Sequence, residues 1–276
     1  MRRGLWFMIG AAAAFSVMAV LVKLAGQRLP APQIVLVRVV LTLALSYLLI
    51  RRAGVTPWGH DRRRLVLRGA LGFAALSLYY LAITRLALAD ATTIHQAAPV
   101  VTAVVAAVTL GERTGPSGWA ALGLGLIGTV VVARPVGLWH GEVDGVGVLA
   151  AVGSAVCAGV VYATVRQLAQ REHALVIVFY FPLVALPLAL PWALPVWVAP
   201  TPLEWLVLLG VAVATQLGQV LLTMGLAREP AGRATAVGYL QVVFAAGWGL
   251  AFAEVPPWTS LLGAGLILAG VALASR

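Results

Sequence analysis

An all-α polytopic membrane protein, with ten transmembrane helices arranged as two inverted five-helix repeats, is the fold class this sequence predicts. Three observations carry it: the composition, ten apolar runs parted by turn residues, and a weak self-similarity at an offset of 143 residues. Of 276 residues, 62% are hydrophobic and 10% charged, with a mean hydropathy of +0.99. Soluble domains carry about 25% charged and 45–50% apolar residues, so a water-facing core cannot absorb this excess. A helical span with its loop takes roughly 25–30 residues, which allows about ten spans and no large soluble domain.

The same composition excludes several classes. Lys23 is the only lysine and no Walker A run surrounds it, which removes a P-loop ATPase. Cys157 is the only cysteine, so neither an intrachain disulfide framework nor a thiolate metal site is expected. The histidines (His60, His95, His140, His173) are scattered, and no metal or cofactor is expected. The apolar runs are continuous, unlike the alternating strands of a membrane barrel. The net charge of +10 reads as topology signal and not as a nucleic-acid surface.

The runs lie at roughly 4–25, 33–50, 65–87, 91–111, 117–133, 145–168, 175–198, 205–227, 232–254 and 259–275. Breaks between them carry turn chemistry: Arg28-Leu29-Pro30-Ala31-Pro32, Gly115-Pro116, Thr201-Pro202, Glu229-Pro230 and Pro256-Pro257. Met1-Arg2-Arg3 before an apolar run resembles a signal peptide, but the pattern recurs at 147–169, so the first run reads as a structural span. With the N-terminus inside, the cytoplasmic side collects Arg2, Arg3, Arg51, Arg52, Arg62, Arg63, Arg64, Arg68, Arg113, Arg166, Arg171, Arg228, Arg233 and Arg276. The outer side collects Lys23, Arg28, Arg85 and Arg134. Fourteen against four predicts both termini in the cytoplasm of a multi-pass inner-membrane protein.

Shifting the chain by 143 residues places Gly4 on Gly147, Gly10 on Gly153, Lys23 on Arg166 and Ala91-Thr92 on Ala234-Thr235. With a one-residue gap, Gly123, Gly128 and Arg134 fall on Gly265, Gly270 and Arg276. Residues 1–134 and 145–276 then form five-span repeats joined by a connecting loop at 135–144. Five is odd, so the second repeat enters the membrane in the opposite sense, an architecture whose solute sites lie near the midplane between halves.

Further motifs mark the first half: Gln33-Ile34-Val35-Leu36-Val37-Arg38, Leu67-Arg68-Gly69, Ala89-Asp90-Ala91-Thr92-Thr93, Pro99-Val100 and Gly111-Glu112-Arg113. On these residues the chain resembles the drug/metabolite transporter superfamily, in its ten-helix EamA-type permeases. The second half departs from the first: Val242 stands at the place of Pro99, and Ala253-Glu254 replaces the Gly-Glu-Arg close, so whether the two halves bend alike is open at this level. The resemblance implies an inner-membrane antiporter, exchanger or uniporter of small metabolites, with export the commoner direction. It does not carry a substrate over.

Polar side chains deep in a span are costly unless they face protein or water, so they nominate the lumen. In the third span Phe73, Ser77, Tyr80 and Thr84 share one helical face; in the eighth, Gln216, Gln219 and Thr223 do. The 143 offset maps Phe73 onto Gln216 and Tyr80 onto Thr223. The fourth span carries Thr92, His95, Gln96, Pro99 and Thr102, and the ninth answers with Thr235, Gly238, Tyr239 and Val242. Pro99 has no N–H, so the carbonyl of His95 loses its helical partner, a device common at transporter sites; a packing kink is the plain alternative. His95 is either a hydrogen-bonding group or a proton carrier.

Arg38 lies about six residues into its span, roughly 9 Å from the outer edge. It reads as an anchor for a carboxylate or phosphate, or as half of an ion pair with Asp90. None of the nine acids falls mid-span, which favours anionic or zwitterionic solutes over cations. Tyr162, Tyr239, Trp248, Phe15, Phe73 and Tyr80 are candidates for the apolar part of a pocket, while most other tryptophans suit an interfacial belt. In the seventh span Pro182, Pro187, Pro191 and Pro195 demand a bend. Gly123-Leu124-Gly125-Leu126-Ile127-Gly128 matches G-x-G-x-x-G but lacks the strand before it, so close helix packing explains it. Ser154 has no base near it in sequence, so no hydrolytic centre is expected.

The substrate-binding candidates are therefore Arg38, Phe73, Ser77, Tyr80, His95, Gln96, Pro99, Tyr162, Gln216, Gln219, Tyr239 and Trp248. The expected partners are a small amphipathic metabolite, zwitterionic or anionic such as an amino acid, and membrane lipid, with the protein a monomer or homodimer. A lipid-handling protein or flippase with a lateral groove is the second reading.

Overall fold

A computed structural model of the chain describes residues 3–134, 144–249 and 258–275. Every regular element among them is helical. In chain order these are α1 (Arg3–Ala25), α2 (Ala31–Arg52), α3 (Arg62–Arg85), α4 (Leu88–His95), α5 (Ala98–Leu110) and α6 (Pro116–Ala133). The second half supplies α7 (Gly145–Leu168), α8 (Ala174–Ala193), α9 (Pro202–Arg228), α10 (Ala231–Gly238), α11 (Leu240–Gly249) and α12 (Trp258–Ala274). Eight segments, counting Ala89–Leu110 as one, are long and apolar enough to cross a membrane. The shorter apolar α12 and the pair α10–α11 occupy the remaining two expected spans. The expected loop at 135–144, except Asp144, and the motifs at Ala253-Glu254 and Pro256-Pro257 lie outside the described residues.

The turn residues start and stop these helices. Asp61 and Asp144 accept from the first-turn N–H groups of α3 and α7. Thr201 and Glu204 form a capping box on α9. Gly111 ends α5 in the left-handed region at φ 66°, where a Cβ would be strained. Outward apolar side chains such as Val108 (81% exposed) and Leu149 (73% exposed) have no protein cover, as lipid-facing positions require.

Helix pairing follows the 143-residue offset. The closest partners are α1 with α9, and their images α7 with α3. Gly4 lies against Arg228 and Glu229; Gly147 lies against the matching Arg85 and Leu86. Gly10 meets Leu221, and Gly153 meets the matching Leu78. Thus α1 begins beside the end of α9, and α7 begins beside the end of α3. Arg166, near the end of α7, bonds the carbonyls of Leu226 and Ala227 at the end of α9, so α7 runs opposite to α1. The pairs α2–α8 and α6–α12 are each their own image. In the latter, Gly128 abuts Gly263 and Ile267, and Gly270 abuts Ala121, so the glycine run packs helices.

Both halves break their fourth span. Gln96 and Ala97 interrupt α4 and α5, and Tyr239 interrupts α10 and α11. At each break the ladder tightens to an i to i−3 bond, Val100 N–H to the Ala97 carbonyl and Val242 N–H to that of Tyr239, both in 3₁₀ register. The halves therefore bend alike, although only the first has the proline.

Candidate functional site

The two breaks meet at the centre of the molecule. Tyr239 is fully buried, and its hydroxyl donates to the carbonyl of Gln96 at 3.0 Å. That carbonyl is the one released when Val100 N–H turns to Ala97. The backbone acceptor freed by the first break is thus satisfied by the residue of the second. Gly125 on α6 makes room for the ring, since a Cβ there would run into it.

Around this contact lies a cavity of about 50 Å³. His95, Gln96 and Pro99 line it from α4–α5, Tyr162 from α7, Tyr239 and Gly238 from α10–α11, and Phe15 from α1. Metabolite pockets run to roughly 300–1,000 Å³, so the cavity is small beside them in this conformation. Five of the expected residues come together here: His95, Gln96, Pro99, Tyr162 and Tyr239.

His95 and Ser154 are hydrogen-bonded, Nδ1 to Oγ, at 2.8 Å. The sequence showed no base near Ser154; the fold supplies one. Its polarity is wrong for hydrolysis. The single Ser154 hydroxyl proton goes to the Ala75 carbonyl at 2.8 Å, so the serine oxygen accepts from Nδ1–H of His95. Neutral His95 is thereby held with Nε2 as an acceptor.

Phe73, Ser77, Tyr80 and Thr84 line a second, mostly apolar recess of about 560 Å³. Ala31 and Pro32 of α2 and Leu188 and Trp192 of α8 complete it, at the end of the bundle away from Arg3. Tyr80 stacks edge-on against Trp192, with ring centroids 5.6 Å apart. Arg38 lies within electrostatic reach of Tyr80, and its Nη1 approaches the Met18 sulfur at 4.0 Å. Its buried Nε has no hydrogen-bond partner among the described residues.

The remaining expected residues are elsewhere. Gln216 accepts from Ser46 at 3.0 Å, clasping α9 to α2, and lines neither space. Trp248 is partly exposed and donates to Ser16 at 3.2 Å, joining α11 to α1. Gln219 accepts from Arg68 at 2.8 Å.

That last bond gives Arg68 an interior place that counting it among the cytoplasmic cations does not convey. Its side chain is buried, 2% exposed, with the guanidinium 5.2 Å from the centre of the Phe181 ring. Gly69 and Gly72 allow the approach, because a Cβ at either would meet Val184 or Phe181 of α8. Arg62-Arg63-Arg64 disguises Arg68 in the sequence; only the helical register of Leu65, also buried, hints that Arg68 turns inward.

Polar bonds close the Arg3 end of the cavity. Arg166 donates from Nε to Glu112 at 2.7 Å, and the other Glu112 oxygen accepts the Ala231 N–H at 2.7 Å. At the opposite end Arg28 holds Glu204 with two bonds, and the Gln33 amide pairs with both backbone groups of Val198.

Comparison with known proteins places this geometry. The model of the EamA-like transporter family matches residues 2–134 and 145–276. The pseudopaline exporter CntI of Pseudomonas aeruginosa (strain UCBPP-PA14) is 35% identical over 280 residues, covering 100% of this chain and 97% of that protein. Solute carrier family 35 member G1 of Homo sapiens is 29% identical over 287 residues, covering 96% of this chain and 77% of its own length. A protein crystal structure superposes with a TM-score of 0.85 at 20% identity, covering 99% of this chain and 96% of that one, a likeness of fold alone.

Proposed function

This chain belongs to the EamA-like transporter family, and from that premise we propose that it is a secondary transporter exporting a small zwitterionic or anionic metabolite by alternating access. The observation that carries the reading is the meeting of two broken helices, one from each half, across a central cavity. Broken helices place freed backbone groups where a solute can use them. The proposed units are residues 1–134 and 145–276, joined by 135–144. They would rock against each other about the Tyr239–Gln96 contact.

The solute class follows from charge. Arg38, outside the lining of both spaces but within electrostatic reach of Tyr80, supplies a cation whose buried Nε has an unmet donor, and the residues lining the two spaces include no carboxylate. A cation beside the path and no carboxylate along it suit an oxyanion head and leave a cationic solute without a partner. The aromatic groups Phe15, Tyr162 and Tyr239 provide an apolar wall. Export as the direction agrees with the relative named as a pseudopaline exporter. The arginine-rich Arg3 end is assigned to the cytoplasm of the inner membrane. In that orientation the Glu112–Arg166 network closes the inner side.

The test is counterflow in proteoliposomes loaded in turn with amino acids, organic anions and pseudopaline. At least one should exchange saturably above protein-free vesicles. Absence of exchange for the whole set, with correctly folded protein, contradicts the reading.

A further inference from the structure

We propose that Arg68 is an oxyanion-binding residue at the inner end of the central cavity, taking the carboxylate or phosphate head of the transported solute; this rests on the transport reading above. The guanidinium keeps its charge at any physiological pH. Of its five N–H bonds, the one on Nε and the two on Nη1 meet no acceptor among the described residues. Its hydrogen-bond partner is the neutral Gln219. The flank is the face of Phe181, which offers no hydrogen-bond acceptor oxygen.

Arg166 shows how a structural arginine is treated in the same bundle. It pairs with a carboxylate and two helix-terminal carbonyls. The acids at the same end have other partners: Glu112 pairs with Arg166, Glu172 accepts from the backbone of His60 and Asp61, and Glu229 pairs with Arg233 at 3.9 Å. A buried charge with unmet donors is costly and persists where a partner arrives in function. Two oxygens of an anion match adjacent guanidinium N–H bonds.

Arg68 is not among the residues lining the central cavity and adjoins it through their neighbours. It lies roughly 9 Å along α3 from Arg62, and within electrostatic reach of Tyr162, which lines the cavity. Gln219 sits one turn from Leu222, another lining residue. Arg38 lies within electrostatic reach of Tyr80, which lines the second recess toward the other end of the bundle. The anionic head would engage Arg68 when the cavity opens inward and Arg38 when it opens outward.

The experiment uses the full chain in lipid nanodiscs, with benzoate and phenyl phosphate as probes and benzamide as the neutral control. Wild type should bind one or both anions and not benzamide; which anion binds distinguishes carboxylate from phosphate. Arg68→Gln should weaken the anion Kd at least roughly tenfold, the equivalent of one charge-assisted hydrogen bond. Arg68→Lys keeps the charge, guards against a misfolded glutamine variant, and should weaken binding by a smaller factor through loss of the planar fork. Wild type that binds neither anion, or folded Arg68 variants that bind as wild type does, would overturn the assignment. Counterflow on the same preparations separates the two claims. Anion binding weakened in Arg68→Gln alongside unchanged exchange sinks the role of Arg68 in transport and spares the transport reading. Arg68-dependent binding without exchange of any solute sinks the transport reading and spares the binding site.

Discussion

Tyr239 and Gln96 stand 143 residues apart, equivalent positions of the two repeats, and are hydrogen-bonded to each other at 3.0 Å. Each is the residue at which its own span breaks. The fold thus joins its two irregular points directly, and the polar cost of the first break is met by a side chain of the second. In Tyr239→Phe the Gln96 carbonyl loses this donor. Polar bonds within membranes average about 0.6 kcal/mol and reach roughly 1.7, so a loss in that range is expected. Thermal unfolding in detergent checks it, and exchange should slow as the central contact loosens.

Gly125 should tolerate no larger residue. Its missing Cβ is the space that the Tyr239 ring fills. Gly125→Val overpacks this site, at a cost of about 1–3 kcal/mol. The check is the unfolding midpoint, and combining it with Tyr239→Ala should recover part of the loss.

Pro99→Ala should leave the break in place. Val242 occupies the equivalent position, and α10–α11 breaks there without a proline. The expected change is under about 1 kcal/mol, because a fold imposed by tertiary contacts overrides the local preference. Retained cross-linking between cysteines placed at Gln96 and Gly238 would report the preserved geometry.

Glu112→Gln should loosen the Arg3 end. It leaves Arg166, 17% exposed, without its carboxylate. Residual solvent access moderates the cost to about 1–3 kcal/mol, below that of a fully buried pair. A double-mutant cycle with Arg166→Gln measures the coupling, and faster labelling of the cavity from the cytoplasmic side is the accompanying expectation.

Much of the fold was legible because bilayer residence writes itself in composition and the repeat in register. The offset already set Gln96 opposite Tyr239 and Lys23 opposite Arg166. The break at Tyr239 was harder to read, since no proline announces it and the contact with Gln96 imposes it. Within the site, His95, Gln96, Pro99, Tyr162 and Tyr239 converge on one cavity, whereas Gln216 turns to Ser46 on α2. Helical spacing gives a shared face but not the neighbour that face meets. Arg68 stood out in sequence as part of Leu67-Arg68-Gly69 and as a cytoplasmic cation, but not as a site residue. It follows the basic run in the first turn of α3, and the approach of α8 over Gly69 and Gly72 makes it an interior residue.

Alternating access is the central claim, and two-sided accessibility tests it most directly. With Cys157→Ser as background, a cysteine at Gln96 would be probed by a membrane-impermeant thiol reagent in right-side-out and inside-out vesicles. Labelling from both faces, slowed by a transported solute, is the predicted result. A cysteine reached from one face only, or from neither, with the protein folded, would contradict it.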